Sequence, residues 1–370
     1  MVKIALPLTI VLLILFHPVP ASGDPYPPSR RVSDVIFDFS THDRRAEGSD
    51  NFPVTWGDDD HQYTSWGDGG GFDGTNTEGR VSLGVGRVEG SESSYRGYNV
   101  WGGNNPENQA TFEGKSYGII DISGVMYMWV TPGSDATGYT EARLYTSADR
   151  GATWTGADWA FTGSDGITAP TFLQFGRGYR DARDGYVYIY AIHIKDSSSL
   201  KIQIPGEIAL MRVPVGGITA RDRYEFFEGF TGVGTPKWTT DIKARVPVFS
   251  DASGVGWNCS VSYNPGLRRY LLITEHGSSF RGNLGMFDAL NPWGPWTTIL
   301  YTNSFGSPDI EGSTFFWNFS NKWLSGDGKE FVLIFTGVGS NDSWNSVQGS
   351  FVVEGLLDGE PLPPSISVFE

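Results

Sequence analysis

The chain reads as an all-β protein, a five-bladed β-propeller, on three observations. Of its 370 residues 49 are Gly and 21 Pro, and 14% are aromatic. No stretch keeps the apolar spacing of an amphipathic helix, so the composition suits short strands joined by tight turns. A hairpin outline then recurs: an apolar entry strand, a turn rich in Gly, Asp, Asn or Arg, and an exit strand led by an aromatic. The leading aromatics are Tyr63, Tyr127, Tyr188, Tyr270 and Phe331, separated by 64, 61, 82 and 61 residues. Units of this size, each too small to cover its own faces, must stack on neighbours, which is what propeller blades do.

The elements follow in order. Residues 1–21 carry Lys3, an apolar run from Ile4 to Phe16, and small residues at Val19 and Ala21. The run is shorter than the ~20 residues that span a bilayer, so a cleaved signal peptide and a secreted or periplasmic protein are expected, with an uncleaved anchor as the bland alternative. Residues 22–48 are a lead-in, Pro-rich from Asp24 to Arg31, whose Val35–Phe39 strand would close the ring as the outer strand of the last blade. Residues 49–370 form one propeller domain.

Its first hairpin pairs Phe52–Trp56 with Gln62–Trp66 around Asp58, Asp59 and Asp60. Antiparallel pairing brings the start of one strand and the end of the next to one edge, so Asp50 and Asp68 arrive together. Blade one ends near Trp101, with Arg80–Val88 as its outer strand. Blade two starts at Lys115 and holds SADRGATW (Ser147–Trp154), a full match to the Asp-box turn S-x-D-x-G-x-T-W. That box looks like the turns of sialidase-type propellers, which implies a structural role for Asp149 and Trp154. Blade three runs from about Ala169 to Gly229, blade four from Trp257 through Trp293–Trp296, and blade five from Glu311 to about Glu354. Asp184-Gly185 and Asp327-Gly328 are turn chemistry, with φ > 0 at Gly.

A net charge of −15 argues against nucleic acid and anionic membranes as partners, and is compatible with a carboxylate-lined cleft for neutral sugars. Cys259 is the single cysteine, so no intramolecular disulfide forms. It reads as a buried thiol. Neither zinc-type His/Cys spacing nor a nucleotide-binding Gly loop is present.

Applied to all copies, the hairpin rule sends Asp50, Asp68, His193, Glu275 and His276 to one rim, beside Asn51, Trp257 and Asn258. Blades two and five add Lys115, Thr131 and Trp317, and no acid. Glycoside hydrolysis needs two carboxyl groups flanking the bond, one of them kept protonated. Asp50 is therefore read as base or nucleophile, Glu275 as general acid, and Asp68 as a modulator or sugar-hydroxyl acceptor. Asn51, Trp66, His193, Trp257, Asn258, His276 and Trp317 are read as substrate contacts, the tryptophans stacking on sugar faces. The bland alternatives are an Asx turn at Asp50, a loop or Ca²⁺ site at Asp68, a surface pair at Glu275 and His276, a hydrogen-bonded wall residue at His193, and interblade packing for any tryptophan. The chemistry requires no metal or cofactor, and a structural Ca²⁺ stays open. The expected partner is a polysaccharide or oligosaccharide, bound by a monomer.

Several short motifs carry a resemblance: SDNFP (Ser49–Pro53), YTSWGDG (Tyr63–Gly69), RDGYVY (Arg183–Tyr188), YNP (Tyr263–Pro265) with Arg269-Tyr270, PWGPW (Pro292–Trp296), and KWLS (Lys322–Ser325) with Asp327-Gly328. In this order they resemble the bacterial domain-of-unknown-function 4185 group over most of the mature chain. That group is similar to five-bladed propeller glycosidases of the arabinanase, β-xylosidase and invertase type, and some members are implicated in hydrolysing D-arabinan. The resemblance implies a glycosidase with arabinan among its candidate substrates. Of the arabinanase-type base, pKa-tuning Asp and acid, only the base transfers, to Asp50; the blade-three strand Pro170–Gln174 has no Asp for the tuning role. A non-catalytic carbohydrate-binding propeller, or a polysaccharide lyase using His193 with a Tyr or Arg, are the alternative readings.

Overall fold

The computed structural model describes residues 23–134, 136–277 and 281–354; the expected signal segment lies outside them. The described residues form 22 strands and eight single-turn 3-10 helices, with no α-helix. After β1 (Val32–Arg45) come five antiparallel runs. The first holds β2 (Val54–Trp56), β3 (Gln62–Gly69), β4 (Val81–Ser91) and β5 (Ser94–Trp101). The second holds β6 (Lys115–Ile122), β7 (Val125–Thr131), β8 (Glu141–Ser147) and β9 (Thr155–Thr162). The third holds β10 (Pro170–Gln174), β11 (Tyr186–Ile192), β12 (Gly206–Pro214), β13 (Glu225–Phe230) and β14 (Pro236–Thr239), with β15 (Pro247–Asp251) lying along β12. The fourth holds β16 (Cys259–Asn264), β17 (Arg269–Glu275), β18 (Leu284–Ala289) and β19 (Thr297–Thr302). The fifth holds β20 (Thr314–Phe319), β21 (Glu330–Gly337) and β22 (Trp344–Val353), and takes β1 as its fourth strand, from Val32 opposite Val353 to Arg45 opposite Trp344.

Local chemistry sets these elements. Ser123 and Gly124, with φ of 53° and 89°, make a two-residue turn between Ile122 and Val125, the handedness that matches strand twist. At the Asp box, Asp149 Oδ1 accepts from Thr153 N–H at 2.9 Å, and Ser147 Oγ accepts from Gly151 N–H at 2.8 Å. The inner strands β6, β10 and β16 are buried at every position, because each is covered on both faces. The outer strands β5 and β9 are largely exposed or half-buried.

Two expectations change. The outer strand of the first run is β5, not Arg80–Val88, which from Val81 onward belongs to β4, third in order. With one face in solvent, the polar SYRGYNVW sequence of β5 reads weakly as a strand. The runs also make four sheets, since β10 and β16 pair in parallel at Leu173–Val261 and Gln174–Ser262 and merge the third and fourth runs into one ten-stranded sheet.

Apolar clusters sit between successive runs. Tyr63 and Val85 join Ile119 and Met128; Trp129 and Leu144 join Phe172 and Tyr190, then Leu272 and Phe287. Leu271 and Ile273 join Phe331 and Val347, and Phe52 and Trp66 join Trp323 and Trp344. The last run thus packs on the first. Polar bonds between inner strands repeat this order. Asp121 N–H bonds Thr55 Oγ1 at 3.1 Å, Gln174 Nε2 bonds Ile119 O at 2.9 Å, Ser260 Oγ bonds Trp317 O at 2.8 Å, and Asn321 Nδ2 bonds Ser262 Oγ at 3.2 Å. Ser320 Oγ reaches Gln62 Oε1 at 2.5 Å, returning to the first run. Where two contacts fix the sense, the residue numbers rise together: Gly118 lies against Thr171 and Ser123 N–H bonds Gly178 O, Ser260 and Asn321 bond Trp317 and Ser262, and β10 pairs β16 in parallel, so these inner strands run in one sense and their starts share a rim.

Candidate active site

Asp50 and Gly67 exchange both backbone bonds, Asp50 N–H to Gly67 O at 2.9 Å and Gly67 N–H to Asp50 O at 2.7 Å. This sets Asp50 one residue from the pairing partner of Asp68. Gly67 has no side chain for a reason: a Cβ there would lie 2.6 Å from Asp50 Oδ1 and 3.3 Å from Lys115 Nζ. Asn51, held at a φ of 56°, donates its Nδ2 to Asp50 Oδ1 at 2.8 Å. Lys115 opens β6, is buried, and sets its Nζ 2.5 Å from Asp68 Oδ2. Arg80 donates to the Asp68 carbonyl. Asp342, after the 3-10 turn Gly339–Asn341, accepts from Gly48 N–H at 2.7 Å through its own carbonyl.

Burial dominates the electrostatics of this group. It pushes the Asp50 carboxyl up to about 7, Lys115 pulls it down, and the negative charges of Asp68 and Asp342 push it up further. Burial raises Asp342 as well. The fifth run therefore does contribute an acid, against the sequence expectation. The same hairpin rule finds Asp342 once the exit strand is followed through the turn after Gly337.

Glu275 ends β17 opposite Leu284, and its carbonyl accepts from Gly256 N–H at 2.9 Å. It is 1% exposed, and its Oε1 has no hydrogen-bond partner among the described residues. Burial holds its carboxyl well above the usual range and so favours its protonated form. A Cβ on Gly256 would meet Glu275 Oε2 at 3.3 Å, so glycine leaves that oxygen room. Thr168 Oγ1, Trp257 Nε1 and Trp317 Nε1 are likewise buried without partners. They belong to the segments leading into β10 and β16 and to β20. Trp257 packs edge-on against Tyr139 at 5.4 Å, and Asn258 is 9% exposed beside it.

The remaining predicted contacts fare differently. Trp66 is wholly buried, donates its Nε1 to Gly69 O at 3.0 Å, and is pressed by Gly71, Gly84 and Gly103, leaving no ring face for a sugar. His276 is not surface-paired with Glu275. It is buried, stacked 3.7 Å from Tyr301, with Nε2 3.1 Å from Thr302 O, and burial lowers its pKa. His193 sets Nδ1 3.0 Å from Glu207 Oε2 and lines a cavity to which neither the Asp50 nor the Glu275 group contributes. Among the described residues no group of three or more His, Cys, Asp or Glu is placed to hold a metal ion; Asp68 spends its carboxylate on Lys115.

The arrangement offers two carboxyl groups at one rim, both raised by burial, Asp50 to about 7 near Lys115 and Glu275 well above its usual range. Such divergence is how one site holds an acid and a base together. A family model described as "Domain of unknown function (DUF4185)" matches residues 113–313, over half the chain. No curated protein matches it. Among solved structures it is similar to a β-xylosidase, RS223, at 11% identity over 82% of this chain and 91% of that one, with a TM-score of 0.45. It is also similar to a GH43_1 enzyme from Xanthomonas citri complexed with xylose, at 12% identity over 82% and 86%, with a TM-score of 0.47. A variant of the alpha-L-arabinofuranosidase arb93a from Fusarium graminearum aligns at 10% identity over 87% and 97%, with a TM-score of 0.39.

Proposed function

We propose that this chain, which belongs to the DUF4185 family, is a secreted five-bladed β-propeller glycoside hydrolase that cleaves a polysaccharide with Glu275 as general acid and Asp50 as base or nucleophile. The observation that carries the reading is the pair of buried carboxyl groups at the starts and ends of strands on one rim, Asp50 raised to about 7 and Glu275 raised well above its usual range. Each antiparallel run counts as a blade, and the cyclic order of apolar clusters supports a closed ring.

A glycosidic oxygen is a poor leaving group until it is protonated. Glu275, whose protonated form burial favours and whose Oε1 has no partner among the described residues, supplies that proton. Asp50, aligned by Asn51, takes a proton from the attacking water or attacks the anomeric carbon itself. Lys115 keeps Asp50 ionisable near neutral pH, and Asp68 acts by fixing Lys115. The segment 1–21 directs export, and arabinan is the first substrate to assay, on the family resemblance.

The test is reducing-sugar release by the mature chain from arabinan and a panel of other polysaccharides. On any substrate that is cleaved, Asp50→Asn and Glu275→Gln should each lower kcat by about 100-fold or more while thermal unfolding stays cooperative. Wild-type rates in both variants would overturn the assignment.

A further inference from the structure

The cavity beside His193 has a volume of about 390 Å³, and it lies on the rim already described. Gly163–Gly166 lead into β10, His193 follows β11, Glu207 opens β12, and Lys243 and Arg245 lead into β15. Its cations are arranged unlike most in this acidic protein. Arg245 donates Nη1 to Ile242 O at 2.6 Å and Nη2 to Asp165 O at 2.5 Å. Lys243 donates to Ser164 O. Neither makes an ion pair among the described residues. The Asp165 carboxylate turns away to accept from Thr162 N–H at 2.8 Å, and Glu207 is engaged by His193 at 3.0 Å and Lys195 at 3.9 Å.

Two carbonyls fix the guanidinium, the Asp165 charge acts on it without forming an ion pair, and three of its five N–H groups make no hydrogen bond among the described residues. The gap they face is kept open by Gly166, at a φ of 70°. A Cβ there would lie 2.9 Å from Arg245 Nη2 and 3.5 Å from His193 Nε2. Because Glu207 holds Nδ1, the other ring nitrogen of His193 turns toward the same gap. A positioned guanidinium with spare donors in a walled recess is a receptor for a planar or tetrahedral oxyanion.

We propose that this cavity is an acidic-sugar subsite, in which Arg245, with Lys243 at its edge and His193 as its wall, binds the carboxylate of a uronic acid or a sulfate ester on a glycan lying across the rim. The inference rests on the proposed function only for the face on which the glycan lies.

Its test is calorimetric titration of the Asp50→Asn protein with a galacturonic acid trisaccharide, a sulfated trisaccharide, a neutral galactose trisaccharide, and inorganic sulfate alone. At least one acidic trisaccharide should bind about tenfold or more tighter than the neutral one, and the preference should fall with salt; which of the two does so identifies the oxyanion. Arg245→Gln should abolish the preference. Glu207→Gln, which removes a negative charge from the wall and still accepts from His193, should strengthen it, a gain that misfolding could not produce. Equal affinity for acidic and neutral sugars, a preference that survives Arg245→Gln, weakening by Glu207→Gln, or binding of inorganic sulfate only would each overturn the subsite. Acidic-sugar binding by a protein that cleaves nothing would refute the hydrolase and spare the subsite. Cleavage of neutral glycans with no acidic preference would do the reverse.

Discussion

At the scale of single residues, Asp50 and Lys115 carry the argument, because the protein both buries a carboxylate and sets a cation against its neighbour. The folded pKa of Asp50, about 7, lies above its ordinary value because burial disfavours the charge. The folded chain therefore holds that proton where the unfolded chain has released it. Its contribution to stability is complete below pH ~4 and is lost as pH rises through about 7. Asp50→Asn should raise the unfolding temperature at pH 8 by about 2 °C or more and leave it unchanged at pH 4; calorimetry at the two pH values decides, and an equal shift at both would show that burial is not the cause. Lys115 acts on the same proton with opposite sign. Replacing it by Met removes the main force that lowers Asp50, so the acidic limb of the kcat/KM profile should move to higher pH by about one unit, since each unit corresponds to ~1.4 kcal/mol. A profile that moves to lower pH, or not at all, would separate Lys115 from Asp50.

At the scale of elements, the hairpins were legible and their outer edges were not. An inner hairpin announces itself because both of its strands are covered, so apolar residues and a leading aromatic persist along it. The outer strand β5 alternates with solvent and hides among polar turns. The same limit explains Trp66. Its place at the end of an exit strand suggested a sugar platform, but which face of a strand points to the mouth and which to the next sheet depends on packing. Here Gly71, Gly84 and Gly103 make a slot between the first and fifth runs. A Cβ on Gly84 would lie 2.2 Å from the Trp66 ring, and the indole cannot retreat from a core shared with Phe52 and Trp344. Gly84→Ala should cost about 1–3 kcal/mol, read as a lower urea midpoint with an unchanged slope. Glu275 was found and Asp342 missed by one rule, because Glu275 ends its strand while Asp342 lies beyond a 3-10 turn that the rule does not count.

For the whole molecule, the question is whether the runs behave as one body. Every run shares an apolar cluster with the next, and β1, from the N-terminal side of the chain, completes the sheet at its C-terminal side, with Phe37 packed against Phe305 and Phe331. With no disulfide to brace it, the structure relies on these contacts and on the polar bonds between runs, so separating any two runs exposes two apolar faces at once. Cys259 is placed to report on this. It opens β16 inside the cluster that spans the second, third and fourth runs, and burial drives its thiol far above the ordinary range. A thiolate reagent should therefore leave the native protein unmodified and should label Cys259 in urea along the same transition that tryptophan fluorescence reports. Coincident curves are expected if the sheets open as a unit. Labelling well before the fluorescence change would mean that the fourth run parts from its neighbours while the rest stays folded, and the molecule would then be an assembly of semi-independent sheets. Reducing agent should alter neither curve, because no cross-link holds the runs together.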